Sequence, residues 1–470
     1  LILSALDVII SAHNNICQED AMTVIWAETA LLPNGWAEAV RVEMAEGRIT
    51  SVTPGTAPEG QRVGCLLPAG QNLHSHAFQR AMAGMTERRG AGQDSFWTWR
   101  TLMYRFLDHL TPEDVQAIAA LVQVEMLEAG FAGVSEFHYL HHQPGGAPYA
   151  DLAEMSARIV AAAAETGIGL TLLPVAYERG GCDGRALTTG QLRFGNAPDR
   201  FARLHEAAAK AVATLPDGVI GVAPHSLRAV RPETLAAMPG FGGPVHLHLA
   251  EQVAEVEEVQ AAYGARPTEW LLAHAPVDAR WCLIHATQML PAETEALART
   301  GAVAGLCPIT EANLGDGIFD GMRWQAAGGV FGVGSDSNIR ISQAEELRSY
   351  EYSQRLRDRG RAMLATADAS NGRVLVESAA RGGAQAGGRA AGAIAPGLWA
   401  DLLALDTGAL MLEGRREDAI LDAWIFAGDD RLVADLWSAG RHVVQGGRHV
   451  ARDSIEARYR AVMRRLVGVM

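Results

Sequence analysis

Lysine is almost absent: the 470 residues hold one, Lys210, against 39 arginines. A phosphate-binding loop places its lysine after a glycine run, and a pyridoxal enzyme needs a Schiff-base lysine in its site. Lys210 lies in the alanine-rich, helix-like AAAKAVATL and suits neither. Cysteine is also scarce: Cys17, Cys65, Cys182, Cys282 and Cys307 are odd in number, widely spaced and without a CxxC pair. That excludes a disulfide framework and a thiolate zinc site, and a reducing, cytoplasmic compartment is expected. No apolar run reaches the ~18 residues of a membrane span. The first residues carry Asp7 and lack both a basic region and a small-residue cleavage site, so no secretory signal is expected. With a formal charge of −14, a broad footprint for nucleic acid or anionic lipid is not expected either. Any anionic ligand must meet a few well-placed arginines.

What remains is the composition of a globular enzyme, 49% hydrophobic and 20% charged. Residues 1–21 are expected to be an extension of no assigned function ahead of a fold that starts at Met22. Residues 22–65 are short β-prone pieces with a turn at Glu46-Gly47, read as the first part of a small β-sandwich. Residues 66–390 alternate differently. Thr111-Pro112-Glu113-Asp114 opens a helix as N-cap, first-turn proline and acidic first turn, and Gly130 closes it. Eight apolar strands, mostly separated by helical segments, run from LLPAGQNLH to GGVFGVGSD, the arithmetic of a (β/α)8 TIM barrel in an α/β chain. A doubly wound sheet would want a glycine-rich fingerprint after its first strand, which this sequence lacks. In 391–452, the segments AGAIAPGLWADLLALD, AWIFAG and HVVQGGRHV read as strands completing the sandwich, and 453–470 reads as a C-terminal helix.

The histidines fall at strand ends. His74 and His76 end the first barrel strand, His248 the fifth, His285 the sixth, and Asp336 the eighth. In a strand, residues two apart share a face, so HxH turns two imidazoles inward together, as a shared metal ion requires. Three neutral imidazoles with a carboxylate suit Zn²⁺ or Fe²⁺ better than Mg²⁺ or Ca²⁺. Such a metal lowers the pKa of bound water toward ~7. Glu251 stands three residues after His248, where a carboxylate could pass a proton to a departing nitrogen.

On these motifs the chain resembles the amidohydrolase superfamily over residues 22–470. Within it LHSHAFQR, SEFHYLHH, APHSLR, HLHLAEQ, CPITEANLGDG and GSDSNIRIS resemble the formiminoglutamate deiminases of histidine degradation. The resemblance implies that His74, His76, His248 and Asp336 are metal ligands, with His285 and Glu251 serving the water and substrate protons. The lysine count agrees with one metal per chain, Zn with Fe as the alternative. Binuclear members bridge two metals through a carboxylated lysine at the fourth strand, which here ends in Pro224-His225. Gln79, Arg100, Tyr139, His225 and Arg228 match the family's contacts to the glutamate moiety. Two arginine forks on separate loops suit a small substrate with carboxylates.

The implied reaction is hydrolysis of N-formimino-L-glutamate to N-formyl-L-glutamate and ammonia. One rival is deamination of a cyclic amidine such as guanine or a related purine, which shares the metal ligands but wants stacking and base-edge groups where Arg100, Tyr139 and Arg228 stand. The other is a non-catalytic ligand-binding barrel, against which the complete set of ligands and proton carriers argues. No nucleic-acid or membrane partner is implied, and a homodimer is what the superfamily suggests. Trp97–Arg100 and Gly180–Arg193 are candidates for covering the site. His246 points inward one pleat below His248 and reads as a buried, hydrogen-bonded residue, while His141 and His142 have no assigned role.

Overall fold

The computed structural model describes residues 22–87 and 96–468, and within these not the side chains of 96–101. Residues 1–21, Cys17 and the side chains of Trp97 and Arg100 therefore lie outside the described residues.

The eight expected barrel strands are present, all parallel. They are Gly70–Ser75, Phe131–His138, Gly169–Ala176, a fourth broken into Val219–Ile220 and Ala223–Pro224, then Val245–Leu249, Trp281–His285, Val303–Leu306 and Val330–Val333. The fourth is interrupted at Gly221 and Val222, whose N–H groups turn to opposite neighbours, Gly221 donating to Leu172 O at 2.9 Å and Val222 to Pro244 O at 3.0 Å. The barrel closes there through the bridges Val222↔Val245 and Ser226↔His248, and at its other seam through Ser75↔Asp336. Both seams thus lie beside residues of the expected site.

Helices fill the returns. Pro112–Glu128 begins as the sequence indicates: Asp114 N–H donates to Thr111 Oγ1 at 3.3 Å, and Thr111 N–H donates to the Asp114 carboxylate at 2.8 Å. This reciprocal cap contributes about 1 kcal/mol. The helix buries Val115, Ile118, Leu121, Val122 and Met126 against the barrel and ends before Gly130, whose φ of +98° suits glycine.

Strands from both ends of the chain form a separate sheet, so the barrel is inserted between its halves. Its order is Arg448–His449, Arg441–Gln445, Val433–Ser438, Leu402–Leu405, Gln61–Pro68, Thr23–Leu32, Gly35–Ala45 and Arg48–Thr53. Ile25, Val40, Val42, Leu66, Leu402 and Trp437 give it a core of its own. Gly446 and Gly447, with φ of +57° and +78°, make the hairpin turn inside HVVQGGRHV. The segment AWIFAG is a correction: it lies in and just beyond the helix Asp418–Phe426. Its buried residues Ile420, Leu421, Trp424 and Ile425 repeat at helical spacing, which outweighs the β-prone composition. The tail forms the helix Arg452–Val467. Among the described residues no helix is long and apolar enough to cross a membrane.

Candidate active site at the barrel rim

Four side chains converge where the strands end. His74 Nε2 and His76 Nε2 each lie 3.3 Å from Asp336 Oδ1, and His248 Nε2 lies 3.1 Å from His74 Nε2. One ligand atom from each residue falls within 4.8 Å of all the others. All four are buried.

The outer ring nitrogens show which atoms are free to ligate. His76 Nδ1–H donates to Phe137 O at 3.0 Å, and His248 Nδ1–H donates to His225 O at 3.0 Å. Each bond leaves the Nε2 lone pair facing the centre, the tautomer a metal ligand needs. Burial holds His74, His76 and His248 below the usual histidine value, and neighbouring imidazoles lower His74 and His248 further. Neutral rings with convergent lone pairs and one carboxylate form a donor set that fits a borderline divalent cation.

Glu251 and His285 stand beside this cluster. His285 Nε2 is 3.8 Å from Glu251 Oε1 and 3.8 Å from Asp336 Oδ2. Burial pushes the Glu251 carboxyl up to about 7. Burial opposes a charge on His285, but Glu251, Glu311 and Asp336 outweigh it and hold the ring well above the usual histidine value. A second group, His285, Cys307 and Glu311, also brings ligand atoms within 4.8 Å. There His285 Nδ1–H donates to Glu311 Oε1 at 3.2 Å, and burial holds the Cys307 thiol protonated. In that group the Glu311 oxygen nearest His285 is engaged in hydrogen bonds to His285 and to Cys307 N–H.

The backbone is strained at the same place. Ala250, His285, Ala286, Asp336 and Asn338 have φ between +46° and +68°, the left-handed region that L-residues with a Cβ enter at a cost. Asn338 locks the eighth-strand turn: its Nδ2 donates to His76 O at 3.1 Å and to Ser75 Oγ at 3.2 Å, and its Oδ1 accepts from Ser335 Oγ at 2.6 Å.

One cavity joins these groups to four of the five expected substrate residues. Gln79, Tyr139, His225 and Arg228 line it together with His76, His248, Glu251, His285 and Asp336. Gln79 Nε2 donates to the Tyr139 hydroxyl at 2.7 Å. The fifth, Arg100, belongs to the helix Phe96–Leu107, but its side chain lies outside the described residues. Met103 and Tyr104 of that helix line the cavity, as do Tyr177, Phe194, Leu314 and Ser337, none of which the sequence reading singled out. Tyr177 carried a signal, since it follows the third strand as Tyr139 follows the second. Phe194 carried none, although it directly follows the expected covering stretch Gly180–Arg193.

Three histidines left without a role in the site, His246, His141 and His142, bond backbone. His246 is fully buried and donates from Nε2 to Ala386 O at 2.8 Å. His141 Nε2 donates to Val175 O at 3.0 Å, and His142 Nε2 bonds the 195–196 turn.

The fold and this donor set place the chain among metal-type hydrolases, and the comparison with known proteins agrees. Residues 65–443 match the model of the Amidohydrolase family, and the chain belongs to that family. Residues 22–62 match the model described as formimidoylglutamate deiminase HutF, N-terminal domain. The formimidoylglutamate deiminase of Pseudomonas aeruginosa is 49% identical over 439 residues, 92% of this chain and 97% of that protein. The crystal structure of an amidohydrolase from Brucella melitensis has a TM-score of 0.91 at 49% identity, covering 95% of this chain and 100% of that one. An adenosine deaminase from Xanthomonas campestris with bound zinc shares the fold, with a TM-score of 0.80 at 21% identity over 95% of this chain and 98% of its own.

Proposed function

We propose that the chain hydrolyses N-formimino-L-glutamate, that is formimidoylglutamate, to N-formyl-L-glutamate and ammonia, a step of histidine degradation. The observation that carries this reading is one cavity holding the His74, His76, His248 and Asp336 cluster, the Glu251 and His285 pair, and Arg228 with His225, Gln79 and Tyr139. It occurs in a chain whose Pseudomonas relative is named for that activity.

His74, His76, His248 and Asp336 would hold a divalent cation, zinc first and iron as the alternative, which would supply Lewis acidity and lower the pKa of a water toward ~7. Asp336 Oδ2, on the side facing His285, takes a proton from the attacking water. His285 Nε2 donates a hydrogen bond to the oxygen that adds to the formimino carbon. Glu251, which burial keeps partly protonated near neutrality, delivers a proton to the nitrogen that leaves as ammonia. As the C–N bond breaks and the formyl C=O forms, the proton on Asp336 reaches the departing nitrogen and the hydroxyl proton of the adduct returns to Glu251, so both water protons leave on ammonia and both acids are restored. Arg228, buried to 7% exposure, offers its guanidinium fork to a substrate carboxylate, and Gln79, Tyr139 and His225 orient the same end.

The test is ammonia release from N-formimino-L-glutamate by protein of measured metal content, with guanine and cytosine beside it and formamide assayed as the product of the opposite cleavage. Ammonia from formiminoglutamate at about one metal per chain is expected. Turnover of a base with none of formiminoglutamate would overturn the assignment of Arg228 while leaving the metal chemistry standing.

A further inference from the structure

The segment CPITEANLGDG has no part in the steps above, yet its glutamate reaches the site. Glu311 belongs to the helix Pro308–Leu314, which follows the seventh barrel strand. Its side chain is 7% exposed, and a single oxygen, Oε1, accepts two hydrogen bonds: from Cys307 N–H at 2.8 Å and from His285 Nδ1–H at 3.2 Å. The first bond is an ordinary closure of the helix start. The second leaves the helix and holds a side chain of the neighbouring strand.

His285 needs such a hold. It is the last residue of its strand and has φ +68°, so its backbone sits in a strained region that does not by itself fix where the ring points. The ring must place Nε2 midway between two acids, at 3.8 Å from Glu251 Oε1 and 3.8 Å from Asp336 Oδ2. Rotating the imidazole away from Glu311 would carry Nε2 out of that position, because both nitrogens belong to one rigid ring. Whether His285 is neutral or charged, its Nδ1 carries the proton that Glu311 accepts.

We propose that Glu311 is a positioning residue for the hydrolysis: it acts through His285, fixing the ring so that Nε2 faces the reacting oxygen. This rests on the deiminase reading for its assay only. The consequence is a loss confined to kcat, since Glu311 is not among the residues lining the substrate cavity.

Four proteins decide it: Glu311→Leu, Glu311→Gln, His285→Gln and the double variant Glu311→Leu/His285→Gln. Glu311→Leu should lower kcat about 100-fold, with KM within about twofold and metal content unchanged. Glu311→Gln keeps an acceptor oxygen and should recover to within about tenfold of the wild type. In the His285→Gln background, Glu311→Leu should cost less than about twofold further, because the partner it acts through is gone. An undiminished loss in that background, a change confined to KM, or Glu311→Gln as poor as Glu311→Leu would each overturn the proposal.

A second readout is independent of turnover. A long-range ¹H–¹⁵N spectrum of histidine-labelled protein, assigned by the signal lost in His285→Gln, should show a protonated Nδ1 for His285 in the wild type and in Glu311→Gln. Its absence from the wild type overturns the proposal even if Glu311→Leu does not fold. If the wild type releases no ammonia from formiminoglutamate, the functional reading fails and this spectrum still decides the role of Glu311.

Discussion

The two ends of the first barrel strand, Gly70–Ser75, show opposite solutions to burying polar groups. At its start, Gln71 Nε2 donates to Asp401 at 2.8 Å, inside a network in which Arg389 bonds both Asp401 and Asp217, and Arg441 bonds Asp217 at 2.7 Å. The N–H of Ala439 also donates to Asp401, at 2.7 Å, so the network ties the barrel base to the second sheet. Burial would raise Asp217, but Arg441 and Arg389 outweigh it and hold its carboxyl below the usual range. At the other end, His74 and His76 meet His248 and Asp336 with convergent lone pairs, beside strained backbone at Ala250, His285, Ala286, Asp336 and Asn338. The base spends its polar groups on one another. The rim gathers four potential ligand atoms within 4.8 Å of one another, and the proposed metal site rests on that difference.

Removing a group should therefore have different consequences at the two ends. The largest effect is expected at the rim: Glu251→Gln should lower kcat by about 10³-fold with metal content and thermal midpoint unchanged, measured as ammonia release beside metal analysis. Retained turnover would remove the proton transfer assigned to Glu251. At the base, Asp401→Ala leaves Arg389 with Asp217 alone and removes the acceptor of Gln71 Nε2 and Ala439 N–H, and it should cost about 3–5 kcal/mol in a denaturant melt, with kcat/KM of the folded fraction within about twofold. If both variants lost activity and stability together, the division between rim and base would fail. Arg228→Met should raise KM by about 10- to 100-fold with a smaller change in kcat, because the role proposed for Arg228 is carboxylate binding and the proposed proton carriers stay in place.

Acid should separate the two ends further. The folded-state pKa of Asp217 lies below its ordinary 3.8, so its contribution is present above that value and is lost as pH falls through the lower folded value. The stability gap between the wild type and Asp217→Asn should be full near neutrality and should narrow between about pH 5 and pH 2. A gap that widened on acidification would show that Asp217 is not stabilised as a carboxylate.

Much of this contrast was legible in the sequence, for a physical reason. Strand ends carry chemistry in a barrel, and HxH with His248, His285 and Asp336 marks those ends directly, so the rim could be read from spacing. The base could not. Gln71, Asp217, Asp401 and Arg441 lie far apart in sequence and have no periodic relation, and only closure of the sheet from both chain ends brings them together. The cavity wall was half legible for the same reason: Tyr139 and His225 follow strands, whereas Met103 and Phe194 arrive from outside the strands. The helix Asp418–Phe426 shows the limit of composition, since AWIFAG has the make-up of a strand while Trp424 and Ile425 follow a helical period with Ile420 and Leu421. Glu311 stands in CPITEANLGDG, but its hydrogen-bond partner His285 lies 26 residues earlier on another strand, a pairing that spacing along the chain does not reveal.

The smallest effect bears on why the rim is strained at all. Ala250 has φ +48° immediately before Glu251, and this turn redirects the chain leaving the fifth strand so that the Glu251 side chain enters the cavity. Glu251 N–H is then collected by Glu255 at 3.0 Å, from the first turn of the helix Val253–Tyr263. Glycine occupies that region of φ without a Cβ penalty, so Ala250→Gly removes strain in the folded state but also loosens the unfolded chain. If strain dominates, the melt should rise by about 0.5–1 kcal/mol. Activity should move the other way, with kcat falling about threefold, because a glycine holds the following carboxylate less firmly. A stabilised variant with undiminished kcat would show that the strain at the rim is incidental to placing Glu251. A stabilised but slower one would tie the two together, and would set the rim apart from the base as the part of the barrel where stability is given up for geometry.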